Sequence, residues 1–436
     1  MTDPNYAFLT SLQQDSFAYF VHEVNEANGL VADKTAAGCP ASIAAVGMAL
    51  TVYTIGAERG FMSRERAAQR TLTTLRFFAD SEQSKSPHAT GYKGFYYHFL
   101  DMDTGKRAWN CELSSIDTAL LIAGVLSSRA YFRSDDAVDT EIRALADLLY
   151  HRVDWQWMLA GAQTICHGWK PGRGFLKWHW EGYDEALILY LLALGAPTYP
   201  IGPEHYAAWT RSYEWISAYG ISYLYAGPLF IHQMSHLWVD FRGIRDDYMR
   251  ARDCDYFDNS RRATHVQQRY AIDNPRGFKQ YSELCFGVTA SDGPGYAVKS
   301  IDGVRRTFYN YLARGAPYGP DDGTVAPWAV AASLAFAPDI VLPSLQHFHH
   351  LRQGEANPYG FKASYSPTFK ATKASKAGWV SPYHFGINEG PTVIMIENYL
   401  HDLTWRTMRA CPSLKLGLTR AGFSGGWLAD ATAERD

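Results

Sequence analysis

The chain has 436 residues, 47% hydrophobic and 19% charged, which is the make-up of a globular protein with ample core material and excludes a disordered one. Its 41 basic and 44 acidic residues leave a net charge of −3, so there is no basic field to neutralise phosphates, which argues against a nucleic-acid partner. The six cysteines stand far apart with no C-x-x-C pair and read as free thiols, not as a disulfide or zinc framework.

The predicted elements are helical. Phe8, Leu12, Phe17, Phe20, Val21 and Val24 form a one-sided apolar stripe that ends near Asn28-Gly29. Helices follow over about 42–58 and 64–79, the second opened by Ser63 with Arg64-Glu65-Arg66 behind it, a start resembling a capping box. Gly94-Phe-Tyr-Tyr-His-Phe-Leu running into Asp101-Met-Asp-Thr-Gly reads as a strand entering a turn, a small local hairpin. Further helices are predicted near 113–132, 136–150, 183–195, 204–219, 229–240, 244–270, 302–313, 324–336, 339–352 and 390–408.

No long strands alternate with these helices, so a βαβ sheet is not expected, and no linker or charge block divides the chain. About a dozen helices in six antiparallel pairs predict one all-α domain over 1–436, an (α/α)6 barrel with long aromatic-rich loops at its mouth. No internal repeat marks the pairs. The N-terminal stretch carries acid in place of Lys or Arg and lacks an apolar core, so no secretory leader is read in this numbering. A cytoplasmic location is expected as written, or a periplasmic one if a leader has been removed. No apolar run approaches the ~20 residues of a membrane span.

Four places concentrate polar and aromatic residues. In Trp109-Asn-Cys-Glu-Leu-Ser-Ser-Ile-Asp, Ser114 or Ser115 can cap the following helix, with Ser114 and Asp117 on one face. The helix dipole favours an ionised Asp117, suited to act as a base, although acids are common in first turns for that reason alone. In Lys177-Trp-His-Trp-Glu-Gly-Tyr-Asp-Glu, three acids (Glu181, Asp184, Glu185) sit among Trp178, Trp180 and Tyr183 before an apolar helix. A carboxyl desolvated against indoles holds its proton to higher pH, as a general acid must; an acidic first turn in water explains one such residue but not three.

His232 and His236 stand four apart, the spacing of helical zinc ligands, but without the glutamate of H-E-x-x-H, so groove lining or packing is the better reading. His347-Phe-His-His has no acidic or Cys partner nearby and reads as a solvated helix face. The loop containing Asp292 and the segment Gly386-Ile-Asn-Glu-Gly-Pro, with Asn388, Glu389 and a Pro fit for a first helical turn, look like cavity-mouth loops. No G-x-S-x-G, P-loop or G-x-G-x-x-G is present, and neither metal nor cofactor is expected.

At these same segments the sequence resembles the bacterial glycoamylase-like domain family, which includes endo-β-1,2-glucanases and relatives of the transglycosylation domain of cyclic β-1,2-glucan synthases. The matching stretches are Gly94-Phe-Tyr-Tyr-His-Phe-Leu-Asp, Glu112-Leu-Ser-Ser-Ile-Asp-Thr-Ala, Gly182-Tyr-Asp-Glu-Ala-Leu-Ile, His232-Gln-Met-Ser-His-Leu-Trp-Val-Asp-Phe-Arg and Glu389-Gly-Pro-Thr-Val-Ile-Met-Ile-Glu-Asn-Tyr, in family order. The resemblance implies an (α/α)6 barrel that hydrolyses or transglycosylates a β-1,2-glucan or its oligosaccharides. Glu185 falls on a glutamate of the family's Gly-aromatic-Asn-Glu motif, with Asp184 in place of Asn. Asp117 falls on an acidic position where β-1,2-glucanases tend to have Glu. Ser114 and Asn388 replace aspartates, and Glu389 replaces Gln.

The expected catalytic set is therefore Glu185 as general acid with Asp117 and Glu389 supplying the complementary carboxylate, whose separation from Glu185 would report retention or inversion. Tyr97, Trp109, Trp178, Trp180 and Trp238 are expected to stack on sugar rings, and Glu112, Ser114, Glu181, Asp184, His232, His236, Asp292 and Asn388 to line the groove. The partner is expected to be a β-glucan or gluco-oligosaccharide, and the protein a monomer or weak homo-oligomer. Two rivals are a β-glucan-binding protein that has lost its chemistry and an α/α-barrel lyase, for which Arg242 and Lys177 would meet a uronate carboxylate.

Overall fold

The computed structural model describes residues 4–351, 357–369 and 378–430. Its chain forms two compact units, each assembled from three stretches of sequence.

The first unit comprises residues 20–213, 235–256 and 402–430. Its central helix, Ile43–Arg59, is apolar nearly all round and buries fourteen consecutive residues from Ile43 to Gly56, which marks it as an inner helix. Ser42 caps its start and Gly60, in the left-handed conformation, ends it. Arg64–Asp80 follows, capped by Ser63 and amphipathic, turning Leu72, Leu75 and Phe78 inward. Ser115–Tyr131 is a second inner helix, against which Ala137–Arg152 lays its one buried face.

The two inner helices meet at glycines. A Cβ at Gly124 would lie 1.9 Å from the carbonyl oxygen of Gly47, and one at Gly47 would lie 2.3 Å from that of Leu120. The same device joins Leu187–Gly195 to Pro412–Arg420, where a Cβ at Gly195 would meet the Ser413 carbonyl at 2.1 Å and one at Gly417 the Leu191 carbonyl at 2.0 Å.

Short strand pairings tie the loops to the helix starts. Phe99–Leu100 pairs antiparallel with Ala41–Ser42, just ahead of Ile43–Arg59. Leu113–Ser114, ahead of Ser115–Tyr131, pairs with Gly168–Lys170, which pairs with Gly174–Phe175. The strand expected at Gly94 to Leu100 is thus present as two short pieces, Phe95–Tyr96 and Phe99–Leu100, and Leu100 bridges Arg107 across the Asp101 turn.

The second unit comprises the described residues of 4–19, 214–234 and 257–401. Its core joins Leu9, Leu12, Tyr270, Phe286, Leu334, Leu345, Phe348 and Ile396, drawn from the helices Pro4–His22, Tyr256–Asp273, Pro338–His350 and Gly386–His401 and the segments between them. A fully buried Arg314–Asp322 pair at 2.7 Å ties down the Ser291 and Asn310 carbonyls as well.

Several expected helices are corrected. Residues 302–313 are not helical: Ala297–Ile301 and Val304–Phe308 form a hairpin whose Asp302 and Gly303 both take positive φ, the turn that fits the right-handed strand twist. The predicted helix over 204–219 stops at Thr210, and Trp215–Ala218 pairs with Ile221–Leu224 across a like turn at Tyr219-Gly220. Residues 229–240 carry two short 3₁₀ turns, Leu229–His232 and Met234–Leu237. The 183–195 helix starts only at Leu187, and the last helix divides into Gly386–His401 and Leu403–Arg409. Pro391 consequently lies inside a helix and not in its first turn.

Candidate active site

The first unit carries a cluster of acids around one histidine, set at the starts of two inner helices. Glu185 sits in the turn before Leu187–Gly195 and is partly exposed. Desolvation raises its pKa from the ordinary 4.5 to about 7, and the charge of Asp117 adds to the rise. Asp184 beside it is also raised, first by desolvation and then by Glu185. Its Oδ1 accepts the Ala186 N–H at 2.9 Å and the Trp209 indole N–H at 3.2 Å, which partly offsets that rise, while Glu185 with a pKa of about 7 keeps a proton up to neutral pH. This is the condition of a general acid near neutral pH.

Asp117 occupies the first turn of Ser115–Tyr131 and is buried. Ser114, not Ser115, is the cap: its Oγ accepts the Asp117 N–H at 3.1 Å and donates to Asp117 Oδ2 at 2.5 Å. His98 Nε2 lies 3.6 Å from the same Oδ2, and its Nδ1 lies 3.1 Å from Glu112 Oε1. Lys170 Nζ stands 3.9 Å from Glu112 Oε2. Burial works against a charged His98, but Asp117, Glu112 and Asp33 outweigh it and raise its pKa to about 9, so it is an imidazolium at neutral pH. Asp33 itself is pushed up to about 6, chiefly by burial.

Glu389 and Asn388 lie in the second unit, both buried in the helix Gly386–His401. Glu389 Oε1 is 3.0 Å from His384 Nδ1. Burial raises its pKa, and His384, Ser16 and Lys362 pull it back. Asp292 is in the same unit, its carboxylate accepting the Ser381 hydroxyl at 2.8 Å.

The aromatic residues divide sharply. Trp109 and Trp178 are each 61% exposed and present open ring faces, Trp109 against Phe99 and Trp178 beneath the Lys177 ammonium. Trp180 is buried and stacks on His167 at 3.8 Å, with its indole N–H donated to Ser115 Oγ at 2.9 Å. Trp238, expected to stack on sugar, has no exposed surface and donates to Thr51 Oγ1 at 2.8 Å. Tyr97 is equally buried, with the Arg107 guanidinium over its ring. Both are core residues: Tyr97 lies between the two short strands, bridging Leu113, and Trp238 directly follows the second 3₁₀ turn, and both side chains are turned inward.

His232 and His236 are corrected likewise. Each is buried, on separate 3₁₀ turns and not one helix face. His232 Nε2 faces the Ala226 carbonyl at 3.2 Å, and burial lowers its pKa to about 4, as for a neutral packing group. Glu181 is exposed and accepts the Thr164 hydroxyl at 3.2 Å. Arg242 is committed to Asp240 and Asp402, each at 2.7 Å, and lies over the Trp405 ring, which leaves it poorly placed to greet a uronate. Among the described residues no group of three or more His, Cys, Asp or Glu is arranged to hold a metal ion, and no helix is long and apolar enough to cross a membrane.

Sequence reasoning missed Asp33, His98 and Lys170 as members of the cluster. His98 lies in a motif read as a strand and as a family-matching stretch from which only Tyr97 is named as a site residue, and Asp33 lies in a segment with no regular pattern that the bridge Ala32–Ala41 folds back toward the helix start.

The Glycoamylase family model, described as "Putative glucoamylase", matches residues 177–412. The exo β-1,2-glucooligosaccharide sophorohydrolase (non-reducing end) of Parabacteroides distasonis is 28% identical, over 96% of this chain and 58% of its own length. The chain therefore spans less than two thirds of that relative. A β-1,2-glucanase structure from the same organism is 26% identical, with a TM-score of 0.83 over 96% of this chain and 60% of that one. An endo-β-1,2-glucanase from Chitinophaga pinensis, solved with sophorotriose and glucose, matches with a TM-score of 0.85 at 24% identity, over 98% of this chain and 100% of that one. The fold is that of the (α/α)6 glycoside hydrolases, as the helix content predicted.

Proposed function

The chain belongs to the glycoamylase family, and from that membership we propose that it is a glycoside hydrolase of β-1,2-linked glucan or its oligosaccharides, with Glu185 as general acid and Asp117 as the complementary carboxylate. The observation that carries the reading is the pairing of a carboxyl raised to about 7 with an acid close enough to add to that rise, both at the start of inner helices of one unit. Protonated Glu185 gives its proton toward the departing glycosidic oxygen as the C–O bond breaks, and Asp117 takes a proton from the attacking water or supports the developing positive charge on the sugar ring.

The substrate linkage is supported by the relative named a sophorohydrolase, similar across 96% of this chain. Trp109 and Trp178 offer the exposed faces on which pyranose rings stack. The chain passes between the two units five times, and we read 1–436 as a single catalytic domain. The test is a product screen over linear β-1,2-glucan, sophorose-series oligosaccharides and β-1,3-, β-1,4- and α-glucans, with the anomeric form of the product followed by NMR. Cleavage of β-1,2 linkages is expected. Cleavage confined to the other linkages overturns the substrate, and binding without any product overturns the hydrolase.

A further inference from the structure

A line of alternating charge runs through the first unit to the acids. Lys170 Nζ is 3.9 Å from Glu112 Oε2, Glu112 Oε1 is 3.1 Å from His98 Nδ1, and His98 Nε2 is 3.6 Å from Asp117 Oδ2. The histidine is fixed from both sides of its backbone: its N–H donates to the Glu112 carbonyl at 3.0 Å and its carbonyl accepts the Ile43 N–H at 3.3 Å. Its ring lies flat on Phe99, centroids 3.9 Å apart at 13°. Ser114 Oγ and His98 thus both engage Oδ2 of Asp117, and no described residue hydrogen-bonds Oδ1.

We propose that His98, held by Glu112 and Lys170, is a positioning residue for Asp117: it fixes Oδ2 so that Oδ1 is the oxygen presented to the reaction. The charged and titratable groups facing His98 are Asp33, with Lys34 and Cys39 around it, Glu112 and Lys170 on one side, and Asp117 with Glu185 beyond it on the other. Cys111 faces Glu112 as well, with Arg107 acting on its thiol. An imidazolium between two carboxylates orients both, whereas a neutral histidine could donate to only one of them. This rests on the reading of Asp117 as a member of the carboxylate pair.

The test has two arms. In the first, the ring nitrogens of His98 are titrated by NMR in the resting protein. They are expected to stay protonated up to about pH 9 and to titrate lower in Glu112→Gln and Asp117→Asn. In the second, His98→Gln, which keeps one amide donor near Nε2, is assayed on β-1,2-glucan against pH. Its kcat is expected to fall at least tenfold with little change in KM, and the acidic limb of its profile to move toward neutral pH. His98→Phe, which keeps the stacking on Phe99 without any donor, is expected to fall further. A His98 that titrates near 6.5 in wild type, or a folded His98→Phe enzyme with wild-type kcat and acidic limb, overturns the proposal. A wild-type enzyme inert toward every β-1,2-glucan overturns the functional reading instead, and the NMR arm still decides whether the histidine grips Asp117.

Discussion

The hydroxyl of Ser114 serves Asp117 twice, accepting its backbone N–H at 3.1 Å and donating to its carboxylate at 2.5 Å. One side chain therefore both starts the inner helix and sets the rotamer of the acid in its first turn. Ser114→Ala removes both bonds. It is expected to cost about 1 kcal/mol of stability, typical of a lost N-cap, and to lower kcat because Asp117 is free to turn. Denaturant unfolding and steady-state kinetics check the two effects. Loss of stability with unchanged kcat would leave Ser114 a cap and nothing more.

Glu185→Gln keeps shape and hydrogen-bonding reach but has no proton to give. Its kcat on β-1,2-glucan is expected to drop by ~10²-fold or more, and the alkaline limb expected of wild type near pH 7 to be absent. Stability is expected to move the other way. A carboxyl raised from 4.5 to about 7 holds more protons folded than unfolded across that window, so wild type loses stability as pH rises through it. The Gln variant does not, and its advantage in unfolding midpoint should open between pH 4.5 and 7 and then level off. A variant that is less stable at pH 8 than at pH 4, relative to wild type, would show that the desolvation is not there.

The glycine crossings predict an overpacking penalty with no chemistry attached. A methyl at Gly124 would stand 1.9 Å from the Gly47 carbonyl and one at Gly417 2.0 Å from that of Leu191, both backbone atoms that cannot swing aside. Gly124→Ala and Gly417→Ala are each expected to destabilise by roughly 1–3 kcal/mol, although alanine is the better helix former by about 1 kcal/mol. Unfolding midpoints measure this directly. A stabilised variant would mean that the helix backbones do not meet this closely at the glycines.

The inner helices were legible because their signal is dense: Ile43–Arg59 and Ser115–Tyr131 are apolar nearly throughout, and Ser114 or Ser115 offers a cap for the second. The hairpin at 297–308 was misread although Asp302-Gly303 carried its turn signal, because Val304 and Phe308 also fit a helical spacing. The acids Glu185 and Asp117 were visible from their aromatic and helix-start settings. Asp33 and His98 were not, since what brings them to the acids is the pairing of Phe99–Leu100 with Ala41–Ser42, a contact between segments nearly sixty residues apart that no local pattern encodes. Trp238 and Tyr97 show the converse error. An aromatic residue in a motif rich in polar groups was read as a sugar platform, but which way it faces is decided by the element that carries it, and both face the core.

That division supplies the last prediction. Trp109 and Trp178, each 61% exposed, add little to the fold, whereas Trp238 is wholly buried with its N–H bonded to Thr51. Trp109→Ala and Trp178→Ala are therefore expected to leave the unfolding midpoint near wild type. An aromatic stacking contact contributes about 0.5–1.5 kcal/mol beyond its buried area, so each is expected to raise KM for oligosaccharides roughly two- to tenfold, with kcat less affected. Trp238→Ala empties a packed site and strands the Thr51 hydroxyl, at a cost of about 3–5 kcal/mol, and is expected to reduce the yield of folded enzyme without a selective change in KM. Paired measurements of KM and thermal unfolding across the three variants separate sugar platforms from core. If Trp109→Ala and Trp178→Ala both bind and cleave the oligosaccharides as wild type does, the exposed indoles lie away from the path of the glucan.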